Sequence, residues 1–294
     1  MRHCIFILLI SILSSCGDMF ESNRIRTTGI YTGKYRDLIK AARNEDLETM
    51  EGLVKEGHMN LDYADSINGV SLLNWCIFSK KVKSFEKLLK LGANPNWQDT
   101  AYSFPTPIIQ AAKEGSTSRF LELSLKYRGN PNFLSKGIQG FENQTPLLGA
   151  VSYQRWDNVK ILVENGADVN LTHDSMGTPL AEALVNDNIE MAKYLIDHGA
   201  DYNNLKFWTQ TVALDRNKQQ ILNSHGSPIM INVKELNILD FLRMYQFPLN
   251  SKKYEIKMEV VRFLQIRGLD YWKYPIPEDV KSEHKNDPEY LLKY

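Results

Sequence analysis

Side chains able to do acid–base, metal or nucleophilic chemistry are few and scattered. Beyond the first residues the histidines are His58, His173, His198, His225 and His284. None falls at metal-ligand spacing with another His or Cys, so no zinc site is expected. His198 stands directly before Gly199, at an expected helix C-terminus, where the dipole favours an imidazolium. No Gly-rich phosphate loop and no Gly-x-Ser-x-Gly elbow occurs. His225, Asp240, Glu255 and Glu259 supply functional groups in the irregular C-terminal third, but no motif pairs them as general acid and base. The expectation is a non-enzyme without cofactor or metal. Lys+Arg and Asp+Glu balance at 35 each, so no global basic field argues for nucleic acid.

The remaining chemistry is contact chemistry. Residues 92–106 hold Trp97, Asp99, Tyr102 and Phe104 between two apolar stretches, and residues 128–145 hold Phe133 and Phe141. His173, Asp174 and Met176 stand at the corresponding place further on, and Trp208 opens a less regular stretch. Aromatic residues at loop tips are unusual on a monomer and enriched at binding hot spots. Trp97 and Tyr102 lie among Gln, Asp, Thr and Ser, which favours partner contact. Phe104 and Phe141 fit packing between neighbouring loops as well as contact. Lys80-Lys81-Val82-Lys83 and Gln154-Arg155-Trp156 are basic turns that could touch phosphate or lipid; the simpler reading is a solvated turn.

The elements that must carry these tips repeat. Gly166-Ala167-Asp168-Val169-Asn170 recurs as Gly199-Ala200-Asp201-Tyr202-Asn203, about 33 residues on. Gly92-Ala93-Asn94-Pro95-Asn96 and Arg128-Gly129-Asn130-Pro131-Asn132 are its earlier forms, Arg128 occupying the usual Gly place. In phase with them stand Thr106-Pro107-Ile108, Thr145-Pro146-Leu147 and Thr178-Pro179-Leu180, with Ser71-Leu72-Leu73 as a variant. Proline suits the first helical turn, where its missing amide would be unpaired anyway. The threonine ahead of it can cap the helix. Leu38, Ala41, Ala42, Leu47, Met50, Leu53 and Val54 show helical spacing on two short helices, the second ended by Gly57.

This pattern resembles ankyrin repeats from about Tyr35 to Asn203. The resemblance implies an all-α solenoid of helix-turn-helix units with extended loops, and a groove of loops and inner helices that holds another protein. Residues 205–235 read as an insertion. A degenerate unit follows, with Asn237-Ile238-Leu239, then Glu259-Val260-Val261-Arg262-Phe263-Leu264, then Gly268, and a cap from Tyr271.

The first residues differ. Arg2 and His3 precede an apolar run, Cys4 to Leu13, of signal-peptide length and too short to span a bilayer. Leu13-Ser14-Ser15-Cys16 resembles the lipobox of bacterial lipoproteins, which implies cleavage before Cys16 and its acylation. An ordinary signal peptide or a buried helix is the alternative. Gly17 in place of Asp leans towards the outer membrane, and Asp18 weakens that lean. Cys76 is then the one thiol left in the mature chain, expected to be a small buried residue.

The expected organisation is a signal peptide over 1–15, lipidated Cys16 and tether over 16–34, repeats over 35–204, and insertion, degenerate repeat and cap over 205–294. A tethered array in the periplasm resembles lipoprotein immunity partners of type VI secretion effectors, such as a phospholipase. The alternative partner is an envelope enzyme that the array scaffolds or stabilises. Lipid is expected as an anchor only.

Overall fold

The computed structural model describes residues 31–65, 69–99, 104–136, 144–172, 177–213, 219–221 and 228–294. They form two compact units that divide between Ala167 and Asp168. The N-terminal unit is four helix pairs: α1 (Gly33–Arg43) with α2 (Leu47–Glu56), α3 (Leu72–Phe78) with α4 (Val82–Lys90), α5 (Pro107–Lys113) with α6 (Arg119–Lys126), and α7 (Pro146–Ser152) with α8 (Trp156–Glu164). Helices of seven residues do not persist alone in water, so burial must hold them. Leu38, Ala42, Leu72, Trp75, Cys76, Ile108, Ala111, Leu147 and Ala150 all lie in the core of this unit.

The starts of α3 and α7 follow the sequence rule, whereas Thr32 before α1 and Thr106 before α5 make no cap bond. Ser71 Oγ accepts from Asn74 N at 3.1 Å, and Thr145 Oγ1 accepts from Leu148 N at 3.0 Å. Thr106 has the same extended backbone and the same proline after it, yet makes no such bond. The carbonyls at the far ends of inner helices are met by buried polar groups on outer helices. Ser84 Oγ donates to Ala42 O at 2.7 Å, and Asn158 Nδ2 donates to Ala112 O at 2.9 Å and Glu114 O at 3.1 Å. Such groups answer the unpaired carbonyls of a helix C-terminus.

Left-handed residues fall partly where the sequence does not put them. Gly57 has φ −80°, and His58 takes the left-handed turn with φ 41°. Arg128 adopts φ 69° in the place where Gly92 has 105° and Gly166 has 81°. Its neighbour Gly129 carries the steric demand, since a Cβ there would lie 2.6 Å from Ser124 O. Arginine and glycine have exchanged roles within one turn.

The C-terminal unit contains α9 (Pro179–Val185) and α10 (Ile189–Asp197), strands β1 (Trp208–Val212) and β2 (Met230–Glu235), α11 (Ile238–Met244), α12 (Lys252–Ile266), a 3-10 turn (Tyr271–Lys273), α13 (Glu278–Glu283) and α14 (Pro288–Lys293). Thr178 Oγ1 caps α9 through Ala181 N at 3.2 Å. The expected degenerate unit is a helix pair, α11 and α12, with a capping box of Asn237 and Asp240 at its start. Within the insertion, β1 and β2 pair antiparallel with a register shift between Thr209 and Gln210. This hairpin is the exception to an otherwise helical fold.

Two buried cations organise the end of the chain. Arg243 donates to Tyr294 O at 2.6 Å and Tyr271 O at 2.7 Å, and its guanidinium lies 3.8 Å from the Tyr271 ring centre. Lys257 Nζ donates to Tyr245 O at 3.0 Å and lies 3.9 Å from the Tyr294 ring centre. Ring faces stabilise cations electrostatically. Val280, Tyr290 and Tyr294 close a small apolar cluster with Leu249, Ile276 and Leu291.

Candidate protein-binding surface

The repeated Gly-Ala-Asn/Asp phrase is a structural device that sets where the loop tips stand. In each copy the Asn or Asp side chain folds back on the backbone two residues on: Asn94 to Asn96, Asn130 to Asn132, Asp168 to Asn170 and Asp201 to Asn203, at 2.8–2.9 Å. The helices end before these residues, at left-handed Gly92, Arg128, Gly166 and Gly199, and the Asx turns then fix the course of the loop. The last asparagine of each phrase then reaches the next phrase. Asn96 Oδ1 accepts from Asn130 N at 2.7 Å while its Nδ2 donates to Arg128 O at 2.8 Å. Asn132 Nδ2 donates to Gly166 O at 3.0 Å. In the C-terminal unit Asn170 repeats the pattern, accepting from Asp201 N at 2.7 Å and donating to Gly199 O at 3.1 Å. A carboxamide suits this work because it both donates and accepts.

Above this ladder the tips are partly engaged with each other. Gln98 Nε2 donates to Lys136 O at 2.6 Å and Gln98 Oε1 accepts from Lys136 N at 2.9 Å, which ties two successive loops. Trp97, beside it, is half-buried, as is Asp99. Phe104 is also half-buried and sets its ring edge against Phe78, centres 5.6 Å apart. Phe133 is half-buried, and the next residue, Leu134, is 39% exposed. Tyr102, Phe141, His173, Asp174, Met176 and the lipidation candidate Cys16 lie outside the described residues.

In the C-terminal unit Trp208 is 43% exposed at the start of β1. The sequence reading missed its neighbours. Ile229, just before β2, and Ile231 and Val233 along it alternate and are all exposed, Val233 by 61%. Ile221, also exposed, is fixed in the same sheet region by bonds to Ala213 O at 2.9 Å and from Ile229 N at 2.8 Å. The alternation was visible in the sequence as a period of two.

Among the described residues, the groups that could have done acid–base work are engaged structurally; His225 lies outside the described residues. Burial would raise the Asp240 carboxyl, but bonds from Lys234, Asn237 N and the Tyr274 hydroxyl outweigh it and hold the pKa below its ordinary value. Glu259 lies 3.6 Å from Lys193, and Glu255 3.6 Å from Lys252. His198 Nδ1 is 2.7 Å from Tyr194 O, and His284 stacks on Tyr290 with centres 3.7 Å apart. Burial pushes the Cys76 thiol well above its ordinary value, which makes it unreactive. Among the described residues no three His, Cys, Asp or Glu side chains stand together as metal ligands. No helix among them is long and apolar enough to cross a membrane.

A family model described as ankyrin repeats, in three copies, matches residues 108–206. An ankyrin repeat protein of Acanthamoeba polyphaga mimivirus is 24% identical over 52% of this chain and 20% of its own length. Alpha-latrocrustotoxin of Latrodectus tredecimguttatus is 36% identical over 36% of this chain and 7% of its own. An ankyrin repeat protein of Fowlpox virus is 28% identical over 59% of this chain and 35% of its own. The chain thus spans about a third or less of the length of these curated relatives. The ankyrin repeat domain of Bcl-3, of the IkappaB family, superposes with a TM-score of 0.48 at 23% identity, over 57% of this chain and 73% of that one.

Proposed function

From the premise that the chain carries ankyrin repeats over residues 108–206, we propose that it is a protein-binding module held at a bacterial membrane by lipidated Cys16. Its partner is a toxic secreted effector, such as a type VI secretion phospholipase, which it neutralises by covering the active-site mouth or the membrane-docking surface. Repeat arrays grow by stacking units and present extended surfaces to other proteins. The observation that carries the reading is a contrast between two sets of side chains. The described polar groups with catalytic potential, Asp240, His284 and Glu259, are engaged in a cap, a stack and an ion pair, whereas Trp208, Ile221, Ile229, Ile231 and Val233 are exposed. Exposed apolar rows on a folded protein favour contact with another protein.

Anchoring supports occlusion because it keeps the array beside the membrane that such an effector attacks. A single acyl chain binds only marginally, and two or more anchor stably. Deleting the gene in a strain that keeps the neighbouring effector gene is expected to cause self-intoxication. Complementation with a Cys16→Ser variant is expected to give unprocessed or soluble protein and weaker protection. Healthy growth of the deletion strain beside armed siblings would sink the proposal.

A further inference from the structure

Lys113 ends α5 with its side chain only 8% exposed. No described residue offers its ammonium a hydrogen bond; the group facing it is the Tyr153 ring, centred 5.4 Å from Nζ. Glu114, next in the chain, is turned away. Its carboxylate pairs with Lys80 and accepts from Gly115 N at 3.0 Å and Ser116 N at 2.8 Å. Burial with no compensating anion pushes the Lys113 pKa down to about 8. An unpaired buried cation is costly, and an aromatic face offsets only part of that cost.

The surroundings are shaped for this lysine. Gly149 lies in the middle of α7, where glycine is less favourable than alanine. A Cβ there would stand 3.2 Å from Lys113 Cε and 3.3 Å from Cγ, so the glycine leaves a channel for the lysine stem. Arg155 approaches from the turn after α7. Its Nε donates to Lys113 O at 2.8 Å, and its guanidinium lies over the same Tyr153 ring at 5.9 Å. Its two terminal nitrogens make no hydrogen bond among the described residues. One tyrosine therefore carries an ammonium and a guanidinium edge, both with unused donors.

We propose that Lys113, Arg155 and Tyr153 form a receptor for a carboxylate, the side chain of an Asp or Glu on the protein that this array binds. The inference rests on the protein-binding reading. A guanidinium edge matches a planar carboxylate, and a nearby ammonium adds charge-assisted bonds. A planar carboxylate matches the guanidinium edge better than a tetrahedral, more strongly hydrated phosphate. The free protein then carries a largely buried ammonium with no anionic partner, which the partner's carboxylate neutralises and which makes the site a specificity element: a partner without that carboxylate removes the little water that reaches the ammonium and puts no anion in its place.

The test uses the isolated protein, so its failure would leave the protein-binding reading to be decided by the complex itself. The Lys113 Cε resonance is followed with pH by NMR on lysine-labelled protein, in sodium acetate and in sodium chloride of equal ionic strength. Acetate is expected to move the Lys113 midpoint up by about one pH unit relative to chloride, and Arg155→Gln to remove most of that response. Lys113→Met is expected to melt about 2–4 °C higher than the parent, because the unpaired charge is gone. Equal midpoints in acetate and chloride, or a larger response to inorganic phosphate than to acetate, would overturn the carboxylate assignment. A Lys113→Met protein that melts lower, or fails to fold, would show the lysine to be structural.

Discussion

Thr106, Thr145 and Thr178 look identical in sequence, each before a proline and each at the start of an inner helix. Their hydroxyls do different things. Thr145 and Thr178 cap, while Thr106, 1% exposed, has a buried hydroxyl without a partner among the described residues. Losing a capping hydroxyl costs about 1 kcal/mol, whereas removing an unsatisfied one is close to neutral or stabilising. Thr145→Val is therefore expected to lower the urea midpoint, and Thr106→Val to leave it unchanged or raise it. Equal losses at both sites would contradict the capping assignment. The Thr-Pro signal was legible because proline fixes φ whatever its neighbours do. Lys113 was not, because lysine is almost always exposed and its burial depends on Gly149 in another unit of the array. The turn at His58 was misplaced for a similar reason: a Cβ on Gly57 would lie 2.7 Å from Leu53 O, so that glycine answers crowding rather than handedness.

At the scale of elements, the helix pairs were readable and the hairpin was not. Helix spacing in 35–204 is reinforced by a phrase that recurs, so each unit supports the reading of the next. β1 and β2 sit in a single unrepeated insertion rich in Asn, Ser and Gln, where a period of two is short and easily lost. The end of the chain was legible only as an atypical cap. Its organising feature, Arg243 and Lys257 among Tyr271 and Tyr294, joins residues far apart in sequence. Burial, and then the charge of Arg243, bring the Lys257 pKa down to about 7. The unfolded chain holds that proton up to roughly 10.4. Between these values the unfolded state binds more protons, so stability rises with pH, by at most about 1.4 kcal/mol per pH unit from this group. Thermal unfolding of the parent is expected to shift upward from pH 7 to 9, and Lys257→Met to reduce that rise, leaving the smaller part that Lys113, with its pKa at about 8, contributes above pH 8. A parent profile that falls over this range, or a variant with the same slope, would show that Lys257 does not carry the linkage.

At the scale of the molecule, the sequence made the repeats and the binding role legible, because an array needs the same local chemistry in every unit. It made the partner illegible. The ladder of Asn96, Asn132 and Asn170 recurs along the chain, while Trp97, Phe133, Trp208 and the β2 row do not repeat in that way and are where specificity resides in the proposed function. Lipidation rests on residues outside the described ones and stands as part of that proposal. The proposed function predicts that the purified protein, mixed with a hydrolytic effector encoded by a neighbouring gene, both binds it and suppresses its activity, read together by complex formation and hydrolysis. The expected result is a stable complex in which activity is lost as the array is titrated in until the effector is saturated. A complex that leaves the activity intact, or no complex at all, would contradict it.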